Sequence, residues 1–109
     1  MRLMGIDESV IREIVRRVLS ACNPERIILF GSASSKTMSR DSDIDLLILE
    51  QSPADPHHES VRIRGAIGDI GYPVDVIVMD RNRFEETKNV IGGIAWPASR
   101  YGRVLYETA

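Results

Sequence analysis

Gly31-Ser32, ten residues, then Asp43-Ile44-Asp45 running into Leu46-Leu47-Ile48-Leu49, with a later echo in Asp75-Val76-Ile77-Val78, is the stretch that decides this chain. Each acidic position opens a strongly apolar, β-prone run. Side chains of a strand alternate between faces, so Asp43 and Asp45 point the same way. Two carboxylates side by side repel each other and lose hydration where an apolar strand begins. A divalent cation is the strongest compensation for that arrangement. A third carboxylate from a neighbouring strand completes a set of hard oxygens of the kind Mg2+ uses with phosphates. A Gly-Ser turn beside it offers backbone N–H groups and a hydroxyl to those phosphates.

Working outward, residues 7–22 carry Val10, Ile11, Ile14, Val15, Val18, Leu19 and Cys22 at spacings of three and four, a helix with Asp7 as N-cap and Asn23-Pro24 as its stop. Residues 26–30 read as a first strand ending at Gly31. The polar, serine-rich stretch 33–42 reads as a loop or a short helix. In the second strand, 43–50, Leu47 and Leu49 share a face with the acids, and Ile44, Leu46 and Ile48 take the other. Apolar on both faces, it belongs in the middle of a sheet with cover on both sides.

A second helix is expected over about 57–70, with Val61, Ile63, Ala66, Ile67 and Ile70 as its apolar set. The turn Gly71-Tyr72-Pro73 leads to a third strand, 74–79. Asp80-Arg81-Asn82-Arg83 reads as a cap before a short helix over 83–90, broken by Gly92-Gly93. A helix over 94–101, with Pro97 in its first turn, and a short strand over 103–106 complete the pass. Gly31 lies at the end of the first strand and Asp43 at the start of the second, so these strands must run antiparallel to meet at one site. The second and third are joined by a helix, so they run parallel with Asp43 and Asp75 side by side. The expected fold is α/β (α+β): a small mixed β-sheet flanked by helices, in one domain over residues 1–109.

The composition narrows the function. Hydrophobic residues make up 43% and charged residues 28%, as in an ordinary globule. No apolar run approaches the ~20 residues that cross a bilayer, and Met1 to Asp7 lacks the apolar stretch of a signal peptide. The expectation is a cytoplasmic protein without a membrane partner. A net charge of −2 and scattered Lys and Arg argue against direct nucleic-acid binding. The pairs Arg62/Arg64 and Arg81/Arg83 read as solvated faces. The one cysteine, Cys22, reads as a small core residue. His57 and His58 lack further ligands at suitable spacing and read as a solvated helix start.

Taken together, Leu29-Phe30-Gly31-Ser32, Ser42-Asp43-Ile44-Asp45-Leu46-Leu47, Val74-Asp75-Val76-Ile77-Val78 and the closing Gly102-Arg103-Val104-Leu105-Tyr106-Glu107 resemble the minimal nucleotidyltransferases of the DNA polymerase β superfamily. The resemblance spans nearly the whole chain. It implies that Asp43 and Asp45 bridge two Mg2+ ions, that Asp75 joins the ion that binds an acceptor hydroxyl, and that Gly31 and Ser32 hold the β- or γ-phosphate of ATP. Family members often carry arginines and a glycine soon after the Gly-Ser pair. Here those positions hold Ala33, Ser35 and Lys36, so Lys36, with Arg40, is the cation left for the phosphates.

Short proteins of this kind, the resemblance further implies, are antitoxins paired in a hetero-oligomer with a HEPN-domain toxin, an RNase, and can transfer AMP from ATP to a toxin tyrosine. Others act by binding alone, which is the alternative carried forward. Ile94, Trp96, Tyr101 and Tyr106 supply side chains typical of interfaces, although Tyr106 fits a core position better. A phosphohydrolase with an Asp-x-Asp nucleophile is disfavoured, because there the apolar strand precedes the acids. Transfer to a small molecule such as an aminoglycoside is disfavoured by the lack of a second domain to hold it.

Overall fold

The computed structural model describes residues 7–30 and 44–108. Helix α1 (Glu8–Ala21) is opened by Asp7, whose carboxylate accepts from the Ser9 backbone N–H at 2.8 Å, which satisfies one of the orphan donors of the first turn. Strand β1 (Arg26–Phe30) follows, then β2 (Ile44–Glu50), α2 (Pro56–Ile67), β3 (Val74–Asp80), α3 (Arg81–Thr87), α4 (Ala95–Tyr101) and β4 (Arg103–Glu107).

The four strands form one sheet in the order β3-β2-β1-β4. β1 runs antiparallel to β2 and to β4, and β2 runs parallel to β3 through the α2 crossover. This is the mixed, helix-flanked sheet expected from the sequence. β2 is central, and its residues from Leu46 to Leu49 are all buried. Its two faces meet separate cores. Ile44, Leu46 and Ile48 pack with Ile14 and Val18 of α1 and with Ile63 and Ile67 of α2. Leu47 and Leu49 pack with Ile28, with Phe84 of α3 and with Ala95 and Ala98 of α4. Burial of each such aliphatic side chain contributes about 1.5–3 kcal/mol.

Several local expectations are corrected. The buried stripe of α2 is Ser60, Ile63 and Ile67, whereas Val61 is 59% exposed; it lies one residue, about 100° of helix rotation, away from Ser60. Ile70 falls beyond the helix, which Gly68 ends at φ +65°, a conformation glycine adopts without steric penalty. Cys22 is the C-cap of α1 with an extended backbone, half-buried and packed against the edge of the core as expected. Helix α3 starts at Arg81 because Asp80 itself is the cap, accepting from the Asn82 N–H at 2.9 Å. It ends at Thr87, well before Gly92-Gly93.

Arg62 and Arg64 are not merely solvated. The Arg62 guanidinium donates to the Ala21 carbonyl at 2.6 Å and to Glu59. Arg64 donates to the Val74 carbonyl at 2.7 Å. The two side chains tie α2 to the end of α1 and to the start of β3. Arg81 likewise forms an ion pair with Glu25 at 3.2 Å.

Candidate active site

The parallel pairing of β2 and β3 sets Asp45 opposite Asp75 as register partners. Neighbouring strands lie roughly 4.8 Å apart, so the two carboxylates leave the sheet side by side on one face. The register is fastened at this end by the backbone, where the Ile44 N–H donates to the Pro73 carbonyl at 2.8 Å. On the other side of Asp45 stands Phe30, its partner at the end of β1.

The burial pattern explains why this end of the sheet is open. Helices α3 and α4 cover Ile28, Leu47 and Leu49 on the face the acids share. On edge strand β3, Ile77 is level with Leu47 yet 36% exposed, and nearer the rim Asp75 is exposed and Asp45 half-buried. An apolar floor thus leads into a carboxylate pair at a rim that solvent reaches. Carboxylate oxygens on adjacent strands are hard donors of the kind Mg2+ takes, with water and phosphate oxygens filling its other positions. The donor chemistry therefore fits that ion.

The register corrects the expected pairing: Asp45, rather than Asp43, is the partner of Asp75. Asp43, Gly31, Ser32 and Lys36, with Arg40, lie outside the described residues. Trp96 is half-buried with its ring edge-on to Tyr101 at 5.9 Å, and the Arg100 guanidinium lies 5.3 Å over the Trp96 ring. Tyr101 is exposed, whereas Tyr106 packs against the core. His57 and His58 are exposed in the first turn of α2.

A second cluster, absent from the sequence reading, sits at the opposite end of β2. Cys22, Glu50 and Glu59 bring one ligand atom each to within 4.8 Å of one another. Burial pushes the Glu50 carboxyl up, aided by its hydrogen bond to Glu59, while hydrogen bonding to Arg62 holds Glu59 down. Burial, with the Glu50 charge beside it, pushes the Cys22 thiol up to about 12. The group is a carboxyl–carboxylate pair closed by an arginine. Its only sequence signals were an acid at each of two element ends, too common to single out.

The model of the nucleotidyltransferase domain family matches residues 9–94, from the first turn of α1 to the N-cap of α4, and the chain belongs to that family. No curated protein matches the sequence. Among solved structures, the chain is similar to a toxin–antitoxin with AMP-PNP at a TM-score of 0.62 and 20% identity, over 90% of this chain and 73% of that one. It is similar to a mutant form of the toxin–antitoxin MntA-HpeT at 0.55 and 19%, over 94% and 75%. A third likeness is to the Shewanella oneidensis complex of a tri-AMPylated HEPN toxin with its MNT antitoxin, at 0.57 and 16%, over 94% and 74%. At these identities the likeness concerns the fold.

Proposed function

We propose that this chain is a Mg2+-dependent nucleotidyltransferase acting as an antitoxin, which transfers AMP from ATP to a tyrosine of a cognate HEPN RNase toxin. The observation that carries the reading is the register pairing of Asp45 with Asp75 at the open end of the sheet, in a chain that belongs to the nucleotidyltransferase domain family. The similar complexes, one with AMP-PNP and one with a tri-AMPylated HEPN toxin, support ATP as the donor and a HEPN protein as the hetero-oligomeric partner. The reading places the pair in the cytoplasm.

In this mechanism Asp45, Asp75 and Asp43 hold the ions, and Gly31, Ser32 and Lys36 hold the triphosphate. The bound Mg2+ supplies neutralisation of the pyrophosphate charge and a lowered pKa for the acceptor hydroxyl. The chain's own contribution is placement. The parallel ladder fixes the two backbone positions from which the carboxylates project, and such placement lowers the entropy barrier to reaction. Asp75, the more exposed of the two, stands where an incoming hydroxyl can surrender its proton. Phe30 and Ile77 line the approach with apolar surface. The acceptor arrives from solvent on a second protein, and Trp96 and Tyr101, with Ile94 beside them, are the side chains offered for docking.

The test is transfer of radiolabel from the α-phosphate of ATP to the purified toxin, with and without Mg2+. Label on a toxin tyrosine, lost when Mg2+ is chelated, is the expected result. A toxin neutralised without acquiring label favours an antitoxin that acts by binding alone.

A further inference from the structure

β3 is an outer strand of the sheet, so one of its edges has no ladder partner. Successive carbonyls of a strand point to opposite edges. The Pro73 carbonyl accepts from the Ile44 N–H of β2 at 2.8 Å, so the next carbonyl, that of Val74, is turned to the free edge. A guanidinium meets it there. Arg64 Nε donates to the Val74 carbonyl oxygen at 2.7 Å, and Arg64 Nη1 donates to the Gly68 carbonyl oxygen at 3.3 Å. Gly68 is the C-cap of α2. One planar fork thus joins the two ends of the turn that leads from the crossover helix into β3.

The peptide unit that Arg64 grips is the one that carries Asp75. A trans peptide is planar, so the Val74 carbonyl, the Asp75 N–H and the Asp75 Cα move as one body. The N–H side of that plane is directed to β2, across the parallel register of Ile44 with Val74. The plane is therefore held from both edges, and the direction in which the Asp75 side chain leaves the sheet follows from it. Asp75 is exposed and is the second residue of an edge strand, a position where chains fray. Arg64 itself belongs to α2, which packs on the face that Ile44, Leu46 and Ile48 share, opposite the face of the acids. Its influence on the acid pair runs through the backbone.

We propose that Arg64 is a positioning residue for the metal centre: by holding the Val74 carbonyl it aims the Asp75 carboxylate at the ion shared with Asp45. The inference rests on the transferase reading above. Removing a group that orients a metal ligand from behind costs about 10- to 100-fold in metal affinity or activity. Lysine in the same place keeps the charge but has no planar fork to bridge two carbonyls.

The ion can be followed without turnover by titrating the protein with Mn2+ in the presence of ATP and reading free Mn2+ by electron paramagnetic resonance. Arg64→Ala should weaken Mn2+ binding by about 10- to 100-fold. It should lower kcat for AMP transfer to the toxin and leave KM for the toxin unchanged. Arg64→Lys should fall between Arg64→Ala and wild type, and added ethylguanidinium should restore part of the Mn2+ affinity of Arg64→Ala. Arg62→Ala is the control, since Arg62 ties α2 to the Ala21 carbonyl beside Glu50, at the other end of β2. It should lose stability and keep Mn2+ affinity. Wild-type Mn2+ affinity in Arg64→Ala, or an equal loss in Arg62→Ala, would overturn this inference and leave the transferase reading standing. If Arg64→Ala does not fold, Arg64→Lys decides, and full Mn2+ affinity in that variant would overturn the inference. A wild-type protein that binds no Mn2+ would remove both readings.

Discussion

Asp45 and Asp75 face each other across a parallel ladder, one at the second residue of β2 and the other at the second residue of β3. Parallel strands joined by a crossover helix necessarily start at the same end of the sheet. An acid placed at the same position in both strands is therefore delivered to one rim without any loop having to position it. The α2 crossover that enforces the pairing is itself anchored at that rim, through the Arg64 bond to the Val74 carbonyl.

If this rim holds the ion, Asp45→Asn combined with Asp43→Asn should abolish Mg2+-dependent ATP binding and keep the fold. A ligand at a hundred times its Kd stabilises a protein by about 2.7 kcal/mol. The wild-type melting temperature should rise with Mg2+-ATP and that of the double variant should not. An equal rise in both removes these acids from the site.

The supporting face can be tested separately. Gly102 sits so close to Ile28 Cγ2 and the Ala98 carbonyl oxygen that an added methyl group has no room. Gly102→Ala should lower stability by about 1–3 kcal/mol through overpacking and shift α4. Chemical denaturation with an unchanged midpoint would show that the contact relaxes freely.

Glu50 and Glu59 give stability a pH dependence with a definite sign. The folded-state pKa of Glu50 lies above its unfolded value. Its contribution is full at pH below the ordinary glutamate range and is lost as pH rises through the raised value. Glu59 is lowered, so its contribution is present above the ordinary range and is lost as pH falls through the lowered value. Glu50→Gln removes the first dependence and retains the pair's hydrogen bond. It should raise stability at pH 7 and flatten the decline above the carboxylate range. A variant less stable than wild type at pH 7 would contradict the assignment.

Cys22 shares that cluster, and its thiol is pushed up to about 12 by burial first and the Glu50 charge second. An ordinary cysteine titrates near 8.5. Alkylation of the native protein at pH 8 should therefore be markedly slower than that of the unfolded chain. Comparable rates would mean that the thiolate forms freely.

The strand pairings were legible because one sequence pattern recurs, but the register that sets Asp45 rather than Asp43 beside Asp75 was not. Asp45 and Asp75 each precede an apolar run, and 50 to 74 is long enough for only one crossover helix. The two-faced burial of β2 was legible for the same reason, since Leu46 to Leu49 has no polar alternation. The stripe of α2 was misjudged at Val61 because Gly65 and the charged pair Arg62/Arg64 blur its periodicity. The tying roles of those arginines depend on carbonyls of Ala21 and Val74, which are distant in sequence and carry no side-chain signal. The Cys22–Glu50–Glu59 cluster joins three element ends that meet only once α1 and α2 have packed.

The most direct measurement is the mass of the cognate toxin after incubation with ATP, Mg2+ and either the wild-type chain or Asp75→Asn. Wild type should add AMP to a toxin tyrosine and silence the RNase. Asp75→Asn should bind the toxin yet leave its mass unchanged, because the acid lies on the rim of the sheet and the side chains proposed for docking lie on α4. Full neutralisation of the toxin by the Asp75→Asn protein, with no mass change from either form, would contradict catalysis at this site and leave binding as the whole of the antitoxin's action.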